Sequence, residues 1–272
     1  MATRPPSKGR DEAYWRDFLT NGSSLERYGR AVFRRIPSET RCKICAAPFM
    51  GVGAPFMRVI GKFPSSANPN ICNSCFAFLT RNRGGAEIEG TLLFADIRGS
   101  TALAEAMSPR EFHQLLERFY ATALSVVFDH DGAVDKFVGD ELVAMFFPLL
   151  TGERHAARAV DAAQALLRET GHEDPDGPWI PVGAGVNTGL IWFGTVGEGV
   201  HVELTAVGDR VNITARLASQ AKAGEVLLTA EAAEAAGLDP KLERIPMTLK
   251  GKAEVTEVVT LHVSPAIVAE TG

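Results

Sequence analysis

The chain has 272 residues, 46% of them hydrophobic and 22% charged, with a formal net charge of −5. This is the composition of a folded globular chain and excludes a disordered or collagen-like polymer. A weakly negative balance gives no reason to expect nucleic acid or an anionic membrane as the main partner, so any polyanionic substrate must be handled locally by metal and a few cations.

The first ten residues are polar and proline-rich, without the apolar core of a signal peptide. Two helix-like stretches follow, Asp11–Phe18 and Leu25–Ile36, split at Asn21-Gly22. Residues 41–80 carry all four cysteines among Gly, Pro and Asn and read as a loop-rich module. Cys42-Lys-Ile-Cys45 and Cys72-Asn-Ser-Cys75 form paired knuckles with no cysteine left over, the ligand set of a tetrahedral four-thiolate site. Zinc is the expected metal, with rubredoxin-like iron or an iron–sulfur cluster as the alternatives. Structural disulfides are the poorer reading in a cytoplasmic protein. The default role of such a module is to brace the dimer, with metal or redox sensing and partner binding as alternatives; Trp15, Phe18, Tyr28 and Phe33 are expected to pack on it as core rather than to form dimer contacts.

Arg81–Gly85 reads as a hinge, and residues 86–265 have the rhythm of a compact α/β region. Thr91–Ala95 is a short buried strand that presents a carboxylate at its end. Ser108-Pro109-Arg110-Glu111 supplies an N-cap, a proline at the first helical position and a capping-box glutamate. The helix that follows buries Phe112, Leu115, Leu116 and Phe119. Ala133–Val138 and Leu142–Phe147 predict a hairpin turning at Gly139-Asp140-Glu141, and Arg154–Glu169 a second helix. Strands are expected near Val182–Val186, Ile191–Val196 and Glu225–Thr229, with a helix from about Val207 to Gln220 and another at Ala230–Ala236. Strand–helix–strand–strand–helix–strand is the ferredoxin-like order, so the fold class is α+β, βαββαβ, behind a small N-terminal helical and zinc-ribbon-like module. The longest apolar run, Leu142–Leu150, is too short to span a bilayer and is broken by Pro148. The expected protein is cytoplasmic, without membrane insertion and without a basic stripe for nucleic acid.

The chemistry concentrates in two turns. Phe94-Ala95-Asp96-Ile97-Arg98-Gly99-Ser100-Thr101 and Lys136-Phe137-Val138-Gly139-Asp140 each set one carboxylate at the end of a strand. Two neighbouring carboxylates repel unless a cation sits between them, and hard oxygen ligands suit Mg²⁺ or Mn²⁺ held jointly with a substrate's phosphates. Gly99, Ser100 and Thr101 leave backbone N–H groups free to meet a triphosphate where the next helix begins.

From about Ile88 to Val263 these motifs resemble class III adenylate and guanylate cyclases. A third segment, Thr205-Ala-Val-Gly-Asp209-Arg-Val-Asn212-Ile-Thr-Ala-Arg216, carries the resemblance furthest. The resemblance implies that Asp96 and Asp140, with the Ile97 carbonyl, hold two Mg²⁺ or Mn²⁺ ions, that Asn212 orients the ribose, and that Arg216 stabilises charge on the α-phosphate. Lys250 stands where the family often has a triphosphate-binding lysine, with Lys252 as its rival. Lys136 and Thr205 fall at the base-reading positions. A lysine offers only donors, which suits the N1 acceptor of adenine and opposes the N1–H of guanine. Threonine in place of the more usual aspartate resembles a subgroup of adenylate cyclases, some of them bicarbonate-responsive. The expected function is therefore ATP to cyclic AMP and pyrophosphate. In the family the metal carboxylates come from one subunit, and the base pair, asparagine and arginine from the other, so a homodimer with two composite sites is implied. Guanylate cyclase and a catalytically silent cyclase-like scaffold are the competing readings.

Overall fold

The computed structural model describes residues 11–22, 24–38, 40–197, 202–249 and 255–265. The chain divides into two compact units. One holds the chain up to Ile88 with Pro148–Gly152 and Ile191–Val207, and the other holds Glu89–Phe147, Glu153–Leu190 and the chain from Gly208 onward.

Helices α1 (Glu12–Thr20), α2 (Ser24–Arg34), α3 (Ala54–Val59) and α4 (Asn73–Arg81) lie in the first unit. The cysteine region is thus more helical than its Gly and Pro content predicts. Asp11 caps α1 by accepting from the Tyr14 N–H, and α1 ends at Asn21-Gly22, where Gly22 takes φ +56°. Trp15 and Leu19 are fully buried. Trp15 stands edge-on to Phe18 at 5.6 Å, and Phe18 lies 4.9 Å from Phe78 of α4, so α1 packs on the cysteine-bearing helix as expected. Phe33 is half-buried. Tyr28 is not a core residue: it is 72% exposed, because the buried side of α2 is taken by Arg30.

Next come β1 (Gly85–Ile97), α5 (Ser100–Ala106), α6 (Pro109–Asp129), the hairpin β2 (Ala133–Val138) and β3 (Glu141–Phe146), and α7 (Pro148–Thr151). They are followed by α8 (His155–Glu169), β4 (Val182–Val196), β5 (Glu203–Val207), α9 (Asp209–Gln220), β6 (Glu225–Thr229), α10 (Ala230–Ala235), β7 (Ile245–Thr248) and β8 (Val255–His262). The sheet order is β2-β3-β1-β4-β6-β8-β7, with β5 paired to β4. Its first four strands have the ferredoxin-like order, extended by β6 parallel to β4 and by the antiparallel β8 and β7. The Ser108 capping box opens α6 as predicted, with reciprocal Ser108–Glu111 bonds. Of the expected α6 face, Phe119 is fully buried and Leu115 and Leu116 pack half-buried on the core, and the burial continues along Ala123, Val126 and Val127. These join Leu93, Ala95, Leu142, Val160, Leu167, Val186 and Leu228 in the core of the second unit.

Several segments differ from expectation. The two strands proposed within 182–196 are one, because the polar Asn187-Thr188 in the middle is buried and satisfied rather than looped out. The Thr188 hydroxyl meets Thr91 at 2.8 Å, and Thr91 meets His155 Nδ1 at 2.9 Å. Strand β5 was not visible as a strand, and β1 begins six residues before Thr91. The segment read as a hinge is tied down: the Gly84 N–H donates to Thr195 Oγ1 at 2.9 Å, and the Thr195 N–H donates to the Gly84 carbonyl at 2.7 Å.

Two histidines with no assigned role prove structural. His172 Nε2 accepts from the Val182 N–H at 3.3 Å, and its Nδ1 donates to the Leu167 carbonyl at 3.0 Å. An amide can only donate and a carbonyl can only accept, so the neutral tautomer is forced. Burial holds His172 and His155 below the usual imidazole range. A depressed folded-state value means that this stability is present above the unfolded value near 6.5 and is lost as pH falls through the folded one. The urea midpoint is expected to drop between pH 7 and pH 5.5, and His172→Gln to flatten that drop.

Candidate active site and cysteine centre

Asp96 is the last residue but one of β1, and the register pairs it with Glu141 across the antiparallel β1–β3 ladder. Asp140 is one residue before Glu141 in the two-residue turn between Val138 and Glu141. Gly139 takes φ +61° there, while Asp140 does not enter the positive-φ region. Glycine at the first central position is what a type II′ hairpin demands, so Gly139 sets the turn that presents Asp140. The turn is held from α6: the Tyr120 hydroxyl donates to the Gly139 carbonyl, and the Tyr120 ring stacks on Phe137 at 4.2 Å. Ile97, whose carbonyl is the third candidate ligand, is buried. Gly99, at φ +68°, turns the chain straight into α5 at Ser100 and Thr101.

Arg98 sits among these acids. Its guanidinium is ion-paired with the Asp96 carboxylate and donates to the Asp96 carbonyl at 3.2 Å and to the Ser219 carbonyl of α9 at 2.8 Å. Burial lowers the Arg98 pKa, against the opposing pull of Asp140 and Glu141. Burial, then the neighbouring Asp140, pushes Glu141 up to about 7. Three carboxylates thus face one guanidinium, an excess of negative charge on oxygen donors.

Helix α9 carries Asn212 and Arg216 one turn apart on one face. Asn212 is exposed and Arg216 half-buried, its Nη1 shielded from solvent without a hydrogen-bond partner. Gly208, at φ +127° and ψ −175°, starts the helix in a conformation open essentially to glycine alone. The fully buried Asn187 of β4 donates to the Arg210 carbonyl at 3.2 Å and accepts from Arg210 and from Thr229, fixing the helix's first turn. Gly183 and Gly185 on β4 let the helix approach closely. A Cβ on Gly185 would stand 2.5–2.8 Å from the Ala218 nitrogen, the Leu217 Cβ and the Thr214 carbonyl. Gly185→Ala is expected to cost about 2–3 kcal/mol, since backbone rather than a flexible side chain must yield, and a urea titration reads it.

Lys136 follows a bulge at Asp135 in the β2–β3 ladder. The extra residue turns Asp135 inward and leaves Lys136 exposed, its Nζ 3.5 Å from Asp135 Oδ2. Thr205 is buried on β5 opposite Gly194 and belongs to the other unit. Lys250 and Lys252 lie outside the described residues.

The four cysteines converge: their sulfurs all lie within 4.8 Å of one another. Cys45 and Cys72 Sγ are 3.7 Å apart, far beyond a disulfide and close to the edge of a tetrahedron with metal–sulfur bonds of about 2.3 Å. The Cys72 N–H points at Cys42 Sγ, and the Cys75 N–H at Cys72 Sγ, at 3.3 and 3.4 Å. Buried Arg30 holds the first knuckle by donating to the Lys43 and Ile44 carbonyls, and burial lowers its pKa to about 10. Hydrogen bonding with Cys42, Cys45 and Cys72, with burial added, pushes the Cys75 thiol well up. Four sulfurs this close could all be thiolates only with a cation among them. Lys62 Nζ, 3.7 Å from Cys45 Sγ, supplies one positive charge.

A family model described as the adenylate and guanylate cyclase catalytic domain matches residues 87–262. The chain belongs to this family. An adenylate cyclase of Dictyostelium discoideum, described as terminal-differentiation specific, is 33% identical over 177 residues, which are 62% of this chain and 8% of that protein. An adenylate cyclase of Anabaena cylindrica is 34% identical over 133 residues, 47% of this chain and 26% of that protein. The crystal structure of the guanylyl cyclase Cya2 superposes with a TM-score of 0.59 at 25% identity, covering 69% of this chain and 98% of that one. The chain thus spans 8–33% of the length of the first curated relatives it matches.

Around this cyclase domain's candidate centre the sequence reading missed four residues. Arg98 lay inside a quoted motif but was given no role, and Glu141 read only as a turn residue. Tyr120 and Asn187 had no signal, because their partners lie 19 and 23 positions away.

Proposed function

We propose that the chain is an adenylate cyclase that converts ATP to 3′,5′-cyclic AMP and pyrophosphate as a homodimer, for intracellular signalling. The observation that carries the reading is the register that sets Asp96 and Asp140 at one end of two adjacent strands, with Arg98 tying that end to α9. The oxygen donors of Asp96, Asp140 and the Ile97 carbonyl fit a pair of Mg²⁺ or Mn²⁺ ions, since one guanidinium leaves the acid cluster with excess negative charge. When bound, the ions lower the pKa of the ribose 3′-hydroxyl and neutralise the triphosphate.

The residues then divide the work. Asp96 and Asp140 fix the ends of β1 and the hairpin to which the triphosphate is drawn. Backbone N–H groups at Gly99, Ser100 and Thr101 meet its oxygens, and Lys250 adds a cation. The 3′-hydroxyl gives up its proton to solvent, and its oxygen forms the new bond to the α-phosphorus as the bond to the bridging oxygen breaks and pyrophosphate leaves. Asn212 orients the ribose, and the permanently charged fork of Arg216 faces the charge that grows on the α-phosphate. Lys136 donates to adenine N1 and Thr205 accepts from its amino group, the pattern of the threonine subgroup. Asp96 and Asp140 come from one protomer, and Lys136, Thr205, Asn212 and Arg216 from its partner. The proposed organisation is an N-terminal segment over 1–40, a zinc-holding module over 41–80 and the catalytic domain over 86–265.

Purified chain incubated with ATP or GTP and Mn²⁺ or Mg²⁺ is expected to yield cyclic AMP. Cyclic GMP formed from GTP in preference would overturn the base assignment. No cyclic nucleotide from protein with its cysteine centre intact would overturn the enzymatic reading.

A further inference from the structure

We propose that the α3 face of the cysteine-bearing unit is a docking surface for an anionic lipid membrane. Five apolar side chains stand out of the fold within twelve residues: Val52 (85% exposed), Phe56 (62%), Val59 (85%), Ile60 (42%) and Phe63 (40%). Helical hydrogen bonds run on both sides of α3, from the Ala54 N–H to the Gly51 carbonyl and from the Lys62 N–H to the Met57 carbonyl. Spacings of three and four residues set Phe56, Val59 and Ile60 on one face of α3, Val52 and Phe63 are exposed in the turns on either side of it, and Met57 is buried. Scattered exposed apolar residues need no explanation, but a contiguous group marks an interaction site.

Charge selects the partner. Between Thr40 and Ala86 the chain has six Arg or Lys residues and no Asp or Glu, although its overall balance is −5. The whole-chain charge averages a basic segment with a more acidic remainder. Arg58 projects from α3 itself and is exposed. Exposed Arg35 flanks the loop carrying Val52, because Gly53 sits against the Ile36 side chain and Gly51 against the Pro37 carbonyl. Apolar tips rimmed by guanidinium groups match an acyl boundary beneath anionic headgroups. The same face set against a second copy of itself would oppose like charges. No helix among the described residues is long and apolar enough to cross a membrane.

Vesicle co-sedimentation of the full chain tests this. Vesicles of phosphatidylcholine mixed with phosphatidylglycerol are expected to bring the chain down, phosphatidylcholine alone to do so weakly, and added salt to release it. The double variant Phe56→Ser, Val59→Ser is expected to lower the partition at least about tenfold, as lost acyl contact requires. Arg35→Glu, Arg58→Glu, which changes only exposed charge, lowers binding to the mixed vesicles and leaves the weak binding to phosphatidylcholine unchanged. Metal content and cyclase activity equal to wild type certify both folds. No sedimentation with the mixed vesicles, or equal sedimentation of wild type and both variants, overturns the proposal. So does a loss of chain self-association in the apolar variant without lipid, which assigns the face to an interface between copies. Retention by a single-stranded oligonucleotide but not by vesicles would likewise reassign it.

Discussion

Mixing the Asp96→Ala chain with the Arg216→Ala chain is expected to restore cyclic AMP formation that neither chain supports alone. Each variant by itself should lose activity by a factor of about 10³ or more, because one removes a carboxylate of the metal-holding pair and the other the cationic fork at the α-phosphate. A two-fold dimer builds each site from both protomers, so a mixed dimer has one site with both defects and one with neither. Random pairing makes about half of the dimers mixed, which predicts about a quarter of wild-type activity. Native mass spectrometry would verify the mixing. Mixed dimers that stay silent would sink the shared-site arrangement, while measurable activity in Asp96→Ala alone would move the chemistry away from the β1 end. Neither position is expected to owe its effect to unfolding: Asp96 lies near the end of a strand, and Arg216 is half-buried on the surface of α9.

The second large effect concerns the cysteine centre. Chain purified without chelator is expected to hold one zinc ion per chain, and Cys72→Ser to hold none. Cys72 caps α4, and its sulfur accepts from the Cys75 N–H, so its loss opens the ligand set and the helix start together. Structural zinc contributes folding energy on the order of 10 kcal/mol, which a segment of short helices and isolated bridges cannot replace. Limited trypsin digestion is the measurement. Cleavage after Arg58 and Lys62 should be fast in Cys72→Ser and in chelated wild type, and slow in the metal-loaded chain. Equal protection with and without metal would show that packing of Trp15, Phe18 and Phe78 alone holds the unit.

Much of the backbone geometry around the candidate site was legible because it depends on short-range patterns. A strand with Asp96 near its end, a glycine that forces the hairpin at Asp140, and a helix placing Asn212 and Arg216 one turn apart are local facts of backbone geometry. The Ser108 capping box and the paired Cys-x-x-Cys knuckles are likewise set by spacing within a few residues. Such signals survive without knowledge of the neighbours, and the βαββαβ order followed from them.

Tertiary structure alone decided what depends on distant partners. Asn187-Thr188 looks like a polar break, yet it is the buried middle of β4, because Thr91, Arg210 and Thr229 arrive from elsewhere in the chain to satisfy it. Arg98 acquired a role only when Ser219 and the acid cluster came within its reach. Glu141 rises to about 7 through burial and Asp140, neither of which its place in a turn reveals. The segment around Phe56 carries no sequence signal of its own, and only the fold shows that Met57 is buried while its neighbours are not. Residue order fixes which groups can share a strand end or a helix face, but burial and long-range hydrogen bonding depend on what the rest of the chain packs against them.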